Sequence, residues 1–324
     1  MQAVSRKIDA AGMLRRYPFL PALGMLSLLI VLNGIAEPNS LTLRAMKGVV
    51  STYLALIFLS VAQTFVVYSA DIDLSVGATL SLVNVCIVVI MNQLGGGPLV
   101  VLFACFTGIV IGALCGLFNG LVVAGLRLQP IVATFATSIL ISGLALWVLP
   151  VAGLPAPTIF WKVFGGRSMG VPNVFFFLAL LIGLLVVIAK TRLVTKLLAV
   201  GNGQLSAYQS GLPVMKIRVS GYVICGIFSA FAAICITGDT ASGDPLVGGA
   251  MTLSSVAAVV LGGTALSGGA GSAFGSAVGA LIIGLISSLV FYAGTPSEWQ
   301  NLVQGATILA VLILGVLASR GINK

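Results

Sequence analysis

The chain is expected to fold as an all-α, polytopic transmembrane helix bundle of about ten spans, with both termini cytoplasmic. Three observations lead there. Hydrophobic residues make up 59% of the 324 and charged residues only 7%, with mean hydropathy +1.18, a balance that a water-exposed surface could not carry. Apolar stretches of roughly 20 residues, the length that crosses ~30 Å of hydrocarbon, recur along almost the whole chain. The cations, finally, sort by loop as membrane insertion demands.

The spans fall near 18–36, 49–69, 73–93, 99–125, 131–150, 173–190, 216–237, 251–265, 273–293 and 299–318. Ahead of the first, Met1 to Arg16 holds four cations and a single acid. Glu37-Pro38 follows the apolar run directly and no small-residue cleavage site stands out, so this reads as a retained span and not a secretory leader. With the amino terminus inside, the inside set collects Arg6, Lys7, Arg15, Arg16, Arg127, Lys190, Arg192, Lys196, Lys216, Arg218, Arg320 and Lys324. Only Arg44, Lys47, Lys162 and Arg167 remain outside, where four of the seven acids (Glu37, Asp239, Asp244, Glu298) also fall. The short, glycine-interrupted stretch 251–265 also reads as a half-helix or re-entrant turn. No separate soluble domain fits. Residues 1–17 form a cytoplasmic segment and 18–320 a single transmembrane domain.

Glycine has two uses. Gly108, Gly112, Gly116 and Gly120 recur every four residues, as do Gly271, Gly275 and Gly279, and each set lines a helix face that admits a neighbouring backbone. Intramolecular packing accounts for both ladders more simply than a dimer seam. The run Gly262 to Ser272 instead breaks structure. Its Gly262, Gly263, Gly268, Gly269 and Gly271 suit either a pore-side hinge or a tight cytoplasmic turn.

Asp71 and Asp73 are the acids near a span on the cytoplasmic side. An intramembrane carboxylate suggests ion coupling. Asp73, however, directly precedes a long apolar run, where its side chain suits the free amides and positive dipole end of the next helix, so it is read as a cap. Asp71 is left open between the two roles.

Catalytic chemistry finds no support. With no histidine, Ser-His and Cys-His nucleophilic sites, His-ligated zinc and His-held haem are all excluded. No lysine completes a Gly-x-x-x-x-Gly-Lys-Ser/Thr phosphate loop. Cys86, Cys105, Cys115, Cys225 and Cys235 lie within apolar spans without metal-ligand spacing and read as small buried hydrophobes. The net charge of +9 follows the inside loops and does not form the aromatic-interleaved patch expected for nucleic acid. Neither a catalytic residue nor a metal site is assigned.

The most informative stretch runs from Lys190 to Arg218, a polar, basic interruption holding Lys190, Arg192, Lys196, Lys216 and Arg218 with no acid. Within it, Val200 to Pro213 suits a brief helix bounded by glycines and stopped by Pro213. One conspicuous cytoplasmic knob, on a chain without energy chemistry of its own, points to a separate partner that supplies the energy.

Taken in order, Ile72-Asp-Leu-Ser-Val-Gly77, Asn119-Gly120, Gln129-Pro-Ile-Val-Ala-Thr134, Gly201-Asn-Gly-Gln-Leu-Ser-Ala-Tyr-Gln-Ser-Gly211, Ala257-Ala-Val-Val-Leu-Gly-Gly-Thr264 and Gly268-Gly-Ala-Gly-Ser272 resemble the ribose-type permease subunits of bacterial ABC importers over about 49–318. The chain departs from that pattern at Asp71, where glycine is usual, at Ala270, where arginine is common, and in an uncharged knob. The resemblance implies a bacterial inner-membrane permease that pairs with a second permease copy or paralogue. It also implies two cytoplasmic ATPase subunits, which carry the ATP and magnesium, and a periplasmic binding protein that delivers a sugar. Gly201, Asn202, Ser206, Ala207, Ser210 and Gly211, within a loop at about 191–215, would then dock on the ATPase. Asn84, Asn119, Thr134, Thr137 and Ser138 are the polar side chains put forward for the solute path, although Ser and Thr in spans often bond to backbone. Arg44, Lys47, Lys162 and Arg167 are candidates for meeting an acidic face of the binding protein. An ion-gradient-driven transporter and a non-transporting scaffold are the rival readings.

Overall fold

The computed structural model describes residues 19–296 together with 299, 302, 303, 305, 306 and 309. The segment 1–17, Glu298, Arg320, Lys324 and most of the predicted span 299–318 lie outside the described residues. In chain order the helices are α1 Leu20–Ala36, α2 Leu43–Val67, α3 Val76–Gln93, α4 Pro98–Gly120, α5 Pro130–Val148, α6 Thr158–Gly165, α7 Val174–Lys190, α8 Leu193–Asn202, α9 Gln204–Gln209, α10 Val214–Thr240, α11 Gly249–Leu261 and α12 Ala273–Tyr292. Two-residue strands β1 Leu154–Pro155, β2 Arg167–Ser168, β3 Val171–Pro172 and β4 Ser242–Gly243 pair as β1 with β4 and β2 with β3. Six helices (α2, α3, α5, α10, α12, and α4 with the turn Leu121–Gly125 that extends it) are long and apolar enough to cross a membrane. The chain is therefore an all-α polytopic bundle.

The centre is α2, α3 and α10, whose apolar residues surround each helix and not one stripe, as a fully enclosed helix requires. Every residue of α2 from Leu54 to Val67 is buried. Phe58, Phe65, Phe228 and Phe231 stack between α2 and α10 with ring centroids 5.6 to 6.4 Å apart. Hydroxyls add direction where apolar contact has none: Thr64 Oγ1 bonds Ser276 Oγ at 2.7 Å, tying α2 to α12. On the outside of α12, α1 contributes Ala22 and Leu29 against Val278, Ile282 and Ile286, and Asn33 Nδ2 donates to the Leu285 carbonyl.

Both glycine ladders pack within the chain. A Cβ at Gly112 would lie 2.4 Å from the Gly226 carbonyl oxygen, and one at Gly116 2.2 Å from that of Tyr222, so α4 rests directly on the α10 backbone. Gly275 and Gly279 likewise seat α12 on α11 through the Gly262 and Ala258 carbonyls. Gly271 does not share that face; α12 begins at Ala273, and Gly271 belongs to the preceding turn.

The ends of the elements separate into two groups. Lys47 Nζ donates to the Gly165 carbonyl, Ser51 Oγ to Asp239, and β1 pairs β4, which collects 37–51, 154–173 and 239–243 at one end. At the other end Gly269 N–H donates to the Tyr68 carbonyl, Ala273 N–H to Tyr68 Oη, and Arg218 to Asp71. The short stretch 251–265 is resolved by this division. α11 has 13 residues, about 20 Å at 1.5 Å per residue, too short for a full crossing. The preceding chain completes the traverse without a helix: Asp244 N–H donates to Asn84 Oδ1 at 2.7 Å and Gly248 N–H to Ser81 Oγ at 2.9 Å, while Thr252 Oγ1 accepts from Gly77 N–H at 3.2 Å. From β4 to Gly269 the chain thus runs from one end of the bundle to the other along α3.

Gly226→Ala, whose Cβ would lie 2.0 Å from the Gly112 carbonyl oxygen, is expected to lower the thermal unfolding midpoint in detergent. Gly143→Ala on α5 meets nothing within 4 Å and should hold or raise it, since Ala is favoured over Gly within a helix by about 0.5–1 kcal/mol of stability. Equal midpoints for the two variants would mean that α4 does not seat on α10 through this contact.

Candidate functional site

At the end holding Tyr68 and Arg218, the chain leaves α7, bends by 71° into α8 and turns again into α9. Sequence reasoning placed only one brief helix here. α8 was legible in the spacing of Leu193, Leu197 and Val200, which puts the buried Leu197 and Val200 on one face and the exposed Thr195 on the other. α9 ends as the sequence predicts: Gly211, at φ +81°, donates to the Tyr208 carbonyl, Leu212 N–H donates to that of Ala207, and Pro213 follows. Of the predicted docking residues, Asn202, Ser206, Ser210 and Gly211 are exposed and Gly201 is half-buried. Ala207 is buried among the chain's own core residues, because α9 needs one apolar side to lie on the bundle. The outward side of α9 is instead Leu205 and Tyr208, 70% and 71% exposed.

Behind α9 lies a buried ion pair. Arg218 Nε donates to Asp71 Oδ2 at 3.0 Å and Nη2 to Oδ1 at 2.9 Å, with the two side chains 10% and 2% exposed. Such a parallel fork fixes both groups in angle as well as distance. One expectation changes here and one open question gains a partner. Arg218 is not a loop cation but a buried member of α10, and Asp71, left open between cap and ion coupling, is paired with its guanidinium. Burial pushes the Asp71 carboxyl up to about 6, with the Arg218 charge pulling it the other way.

Two residues on, Asp73 accepts from Ser75 N–H at 2.8 Å and from Ser75 Oγ at 2.7 Å. Ser75, not Asp73, occupies the cap position of α3, so Asp73 closes the turn ahead of the helix. Three other elements clasp this turn. The Gln63 amide of α2, oriented to satisfy both groups, bridges Asp73 N–H and C=O at 3.1 Å each. Asn119 of α4 donates to Ser75 Oγ, and Thr134 Oγ1 of α5 accepts from Leu74 N–H at 3.0 Å. Three motifs separated along the sequence, Ile72 to Gly77, Asn119-Gly120 and Gln129 to Thr134, therefore meet at one turn.

The remaining candidates divide. Asn84, Asn119, Thr134 and Thr137 are all buried and bonded within the chain, Asn84 holding Thr237, Ser242 and Asp244 together. Ser138 is half-buried and bonds the Phe135 carbonyl. Gly262, Gly263, Gly268, Gly269 and Gly271 line the turn between α11 and α12, where Gly268 approaches Ala70 and Gly269 approaches Asn202. Arg44, Lys47, Lys162 and Arg167 gather at the opposite end. Arg44 and Lys47 lie on the first turns of α2, which starts earlier than predicted, while Lys162 sits on α6 beside Trp161 and Arg167 on the β2–β3 hairpin.

Between the α4–α5 connection and α9 runs a groove of about 910 Å³, bordered by Arg127, Gln129, Gln204, Tyr208 and Lys216 with the ion pair at its wall. A multi-pass bundle with an exposed apolar knob at a basic end, and with its turn motifs fastened behind that knob, has the architecture of a membrane permease that works with another protein. Residues 45–312 match the family described as branched-chain amino acid transport system / permease component, and the chain belongs to that family. It is 32% identical over 325 residues to the ribose import permease protein of Bacillus subtilis (strain 168), covering 97% of each chain. It is 29% identical over 297 residues to the ribose import permease protein of Escherichia coli (strain K12), covering 89% of this chain and 91% of that one. With the autoinducer 2 import system permease protein of Salmonella paratyphi A it shares 28% over 309 residues, 92% of each.

Arg218→Leu leaves a buried carboxylate unpaired and is expected to cost about 3–5 kcal/mol of stability. Adding Asp71→Asn should recover much of that loss. A thermal-melt double-mutant cycle with strictly additive effects would rule out a coupled pair.

Proposed function

We propose that the chain is the transmembrane permease subunit of a binding-protein-dependent ABC importer for a monosaccharide or related polyol-like solute. Family membership and the two kinds of import permease it resembles support this reading over an ion-gradient-driven transporter. The relatives' solutes, ribose and autoinducer 2, set the class but not the member. The chain sits in the bacterial inner membrane with about ten spans and both termini cytoplasmic, as one domain over 18–320. It is not itself an enzyme: ATP and magnesium are handled by two cytoplasmic ATPase subunits. A second permease copy or paralogue completes the path, and a periplasmic binding protein delivers the solute.

The observation that carries the assignment is α9, which turns Leu205 and Tyr208 outward at the basic end. Leu205 and Tyr208 stand one helical turn apart on the same outward side, and a six-residue helix on a folded support is a compact plug for a groove on the ATPase. Gly201, Asn202, Ser206, Ser210 and Gly211 set the geometry of that plug, and Ala207 anchors it inward. At the other end, Lys162 and Arg167 with Arg44 and Lys47 offer a positive surface to the binding protein. The cycle is alternating access, with ATP-driven closure moving the knob between two global states.

Leu205→Asp and Tyr208→Ala should each abolish or sharply weaken copurification of the ATPase while leaving insertion and yield intact. Retention of the ATPase by the double variant would remove α9 from the interface. For topology, single cysteines at Met169 and Gln209, in a chain with the five native cysteines replaced, should react with an impermeant thiol reagent from opposite faces. Met169 is expected to label in intact cells and Gln209 only after the membrane is opened. Labelling of both from one face would overturn the assigned sides.

A further inference from the structure

Three segments distant in sequence meet with almost no side-chain material between them. Gly201, near the end of α8, has its Cα so close to the α2–α3 turn that a Cβ there would lie 2.0 Å from the Tyr68 carbonyl oxygen, and 2.5 Å from Gly269 N of the α11–α12 turn. That carbonyl accepts from Gly269 N–H at 3.1 Å, and Tyr68 Oη accepts from Ala273 N–H, at the start of α12, at 2.8 Å. Gly269, at φ +74°, has a position where a Cβ would meet Asn202 Oδ1 at 2.3 Å. Gly268 stands equally close to Ala70, itself a non-glycine residue at φ +64°. Backbone in contact with backbone has no rotamers to absorb a displacement, so such a seam passes movement on, where a side-chain contact would flex.

We propose that Gly201, Tyr68 and Gly269 are positioning residues of a rigid joint, through which displacement of the α8–α9 knob is delivered at once to the α2–α3 turn and to the α11–α12 turn. This rests on the reading of the knob as the ATPase contact, and adds to it the route by which the contact is felt inside the bundle. The α2–α3 turn carries Asp71, held in the fork of Arg218, so the same displacement reaches α10, while Asn119 of α4 and Thr134 of α5 meet that turn only through side-chain hydrogen bonds that can flex. The α11–α12 turn ends the half-helix α11, the least regular crossing among the described residues. By contrast the α4–α5 connection faces the knob only across the groove. It is expected to lie outside the moving body.

The test uses the intact complex purified with its ATPase, in a chain with the five native cysteines replaced, carrying spin-label pairs at Thr195 and Leu266 or at Thr195 and Leu128. Distances are measured without nucleotide and after trapping with ATP and vanadate. The 195–266 distance should stay constant and the 195–128 distance should shift. Gly201→Ala, which wedges the seam, should make the 195–266 distance nucleotide-dependent. The equivalent change at Gly203, whose Cβ would meet Ser206 Oγ at an ordinary 3.5 Å, should not. Should Gly201→Ala fail to assemble, Tyr68→Phe serves instead: it removes only the Oη bond to Ala273 and is expected to broaden the 195–266 distance on trapping. A 195–266 distance that changes in the otherwise unmodified chain, or two distances that both stay fixed, would overturn the joint while leaving the ATPase contact standing. Absence of any copurifying ATPase would instead bring down the reading of function and the joint with it.

Discussion

A peptide group that leaves helical structure inside a bilayer has no water to turn to, and the cost of leaving it unpaired is several kcal/mol. That constraint organises the polar residues of this bundle. Asn84 and Ser81 are spent on the amides of Asp244 and Gly248, where the chain descends without a helix. Gln63, Asn119 and Thr134 are spent on the turn between α2 and α3. Most of the intramembrane amides and hydroxyls, so tempting as contacts for a solute, are thus bonded within the protein itself.

The second resource is glycine, used to bring backbones together where lipid offers helices no hydrophobic reason to associate. On α4 the ladder removes the side-chain layer between two spans, and at Gly201 the same economy joins a peripheral element to the core. The two uses differ in what they join. Between α4 and α10, close approach contributes dispersion contacts along a fixed interface; at the Tyr68 turn it links pieces that belong to different parts of the fold.

Much of this was legible in the sequence, for identifiable reasons. Spans are set by a long apolar period, so nine of the ten predicted stretches coincide with described helices to within a few residues at most boundaries. The glycine ladders were legible because a four-residue repeat maps directly onto one helix face. The side on which a polar residue lies was not. Arg218 looked like one more inside cation, since nothing local distinguishes it from Lys216; its partner is 147 residues away, and only the approach of the α2–α3 turn to α10 turns a surface charge into a buried fork. Asp71 gave half the signal, as an acid at a position where the ribose-type pattern has glycine. Ala207 shows the same limit at a smaller scale, because in a six-residue helix the inward side is decided by where the helix is laid down.

The half-helix α11 also bears on how the protein is made. A thirteen-residue helix after a stretch containing Asp244 does not have the roughly 20-residue apolar run by which a span is recognised and released into lipid. The non-helical amides of Asp244 and Gly248 are met by side chains of α3, which is synthesised about 160 residues earlier. This crossing can therefore settle only against a wall already standing. The order in which the ribosome delivers the chain, with α3 well ahead of α11, is the order that such late threading requires.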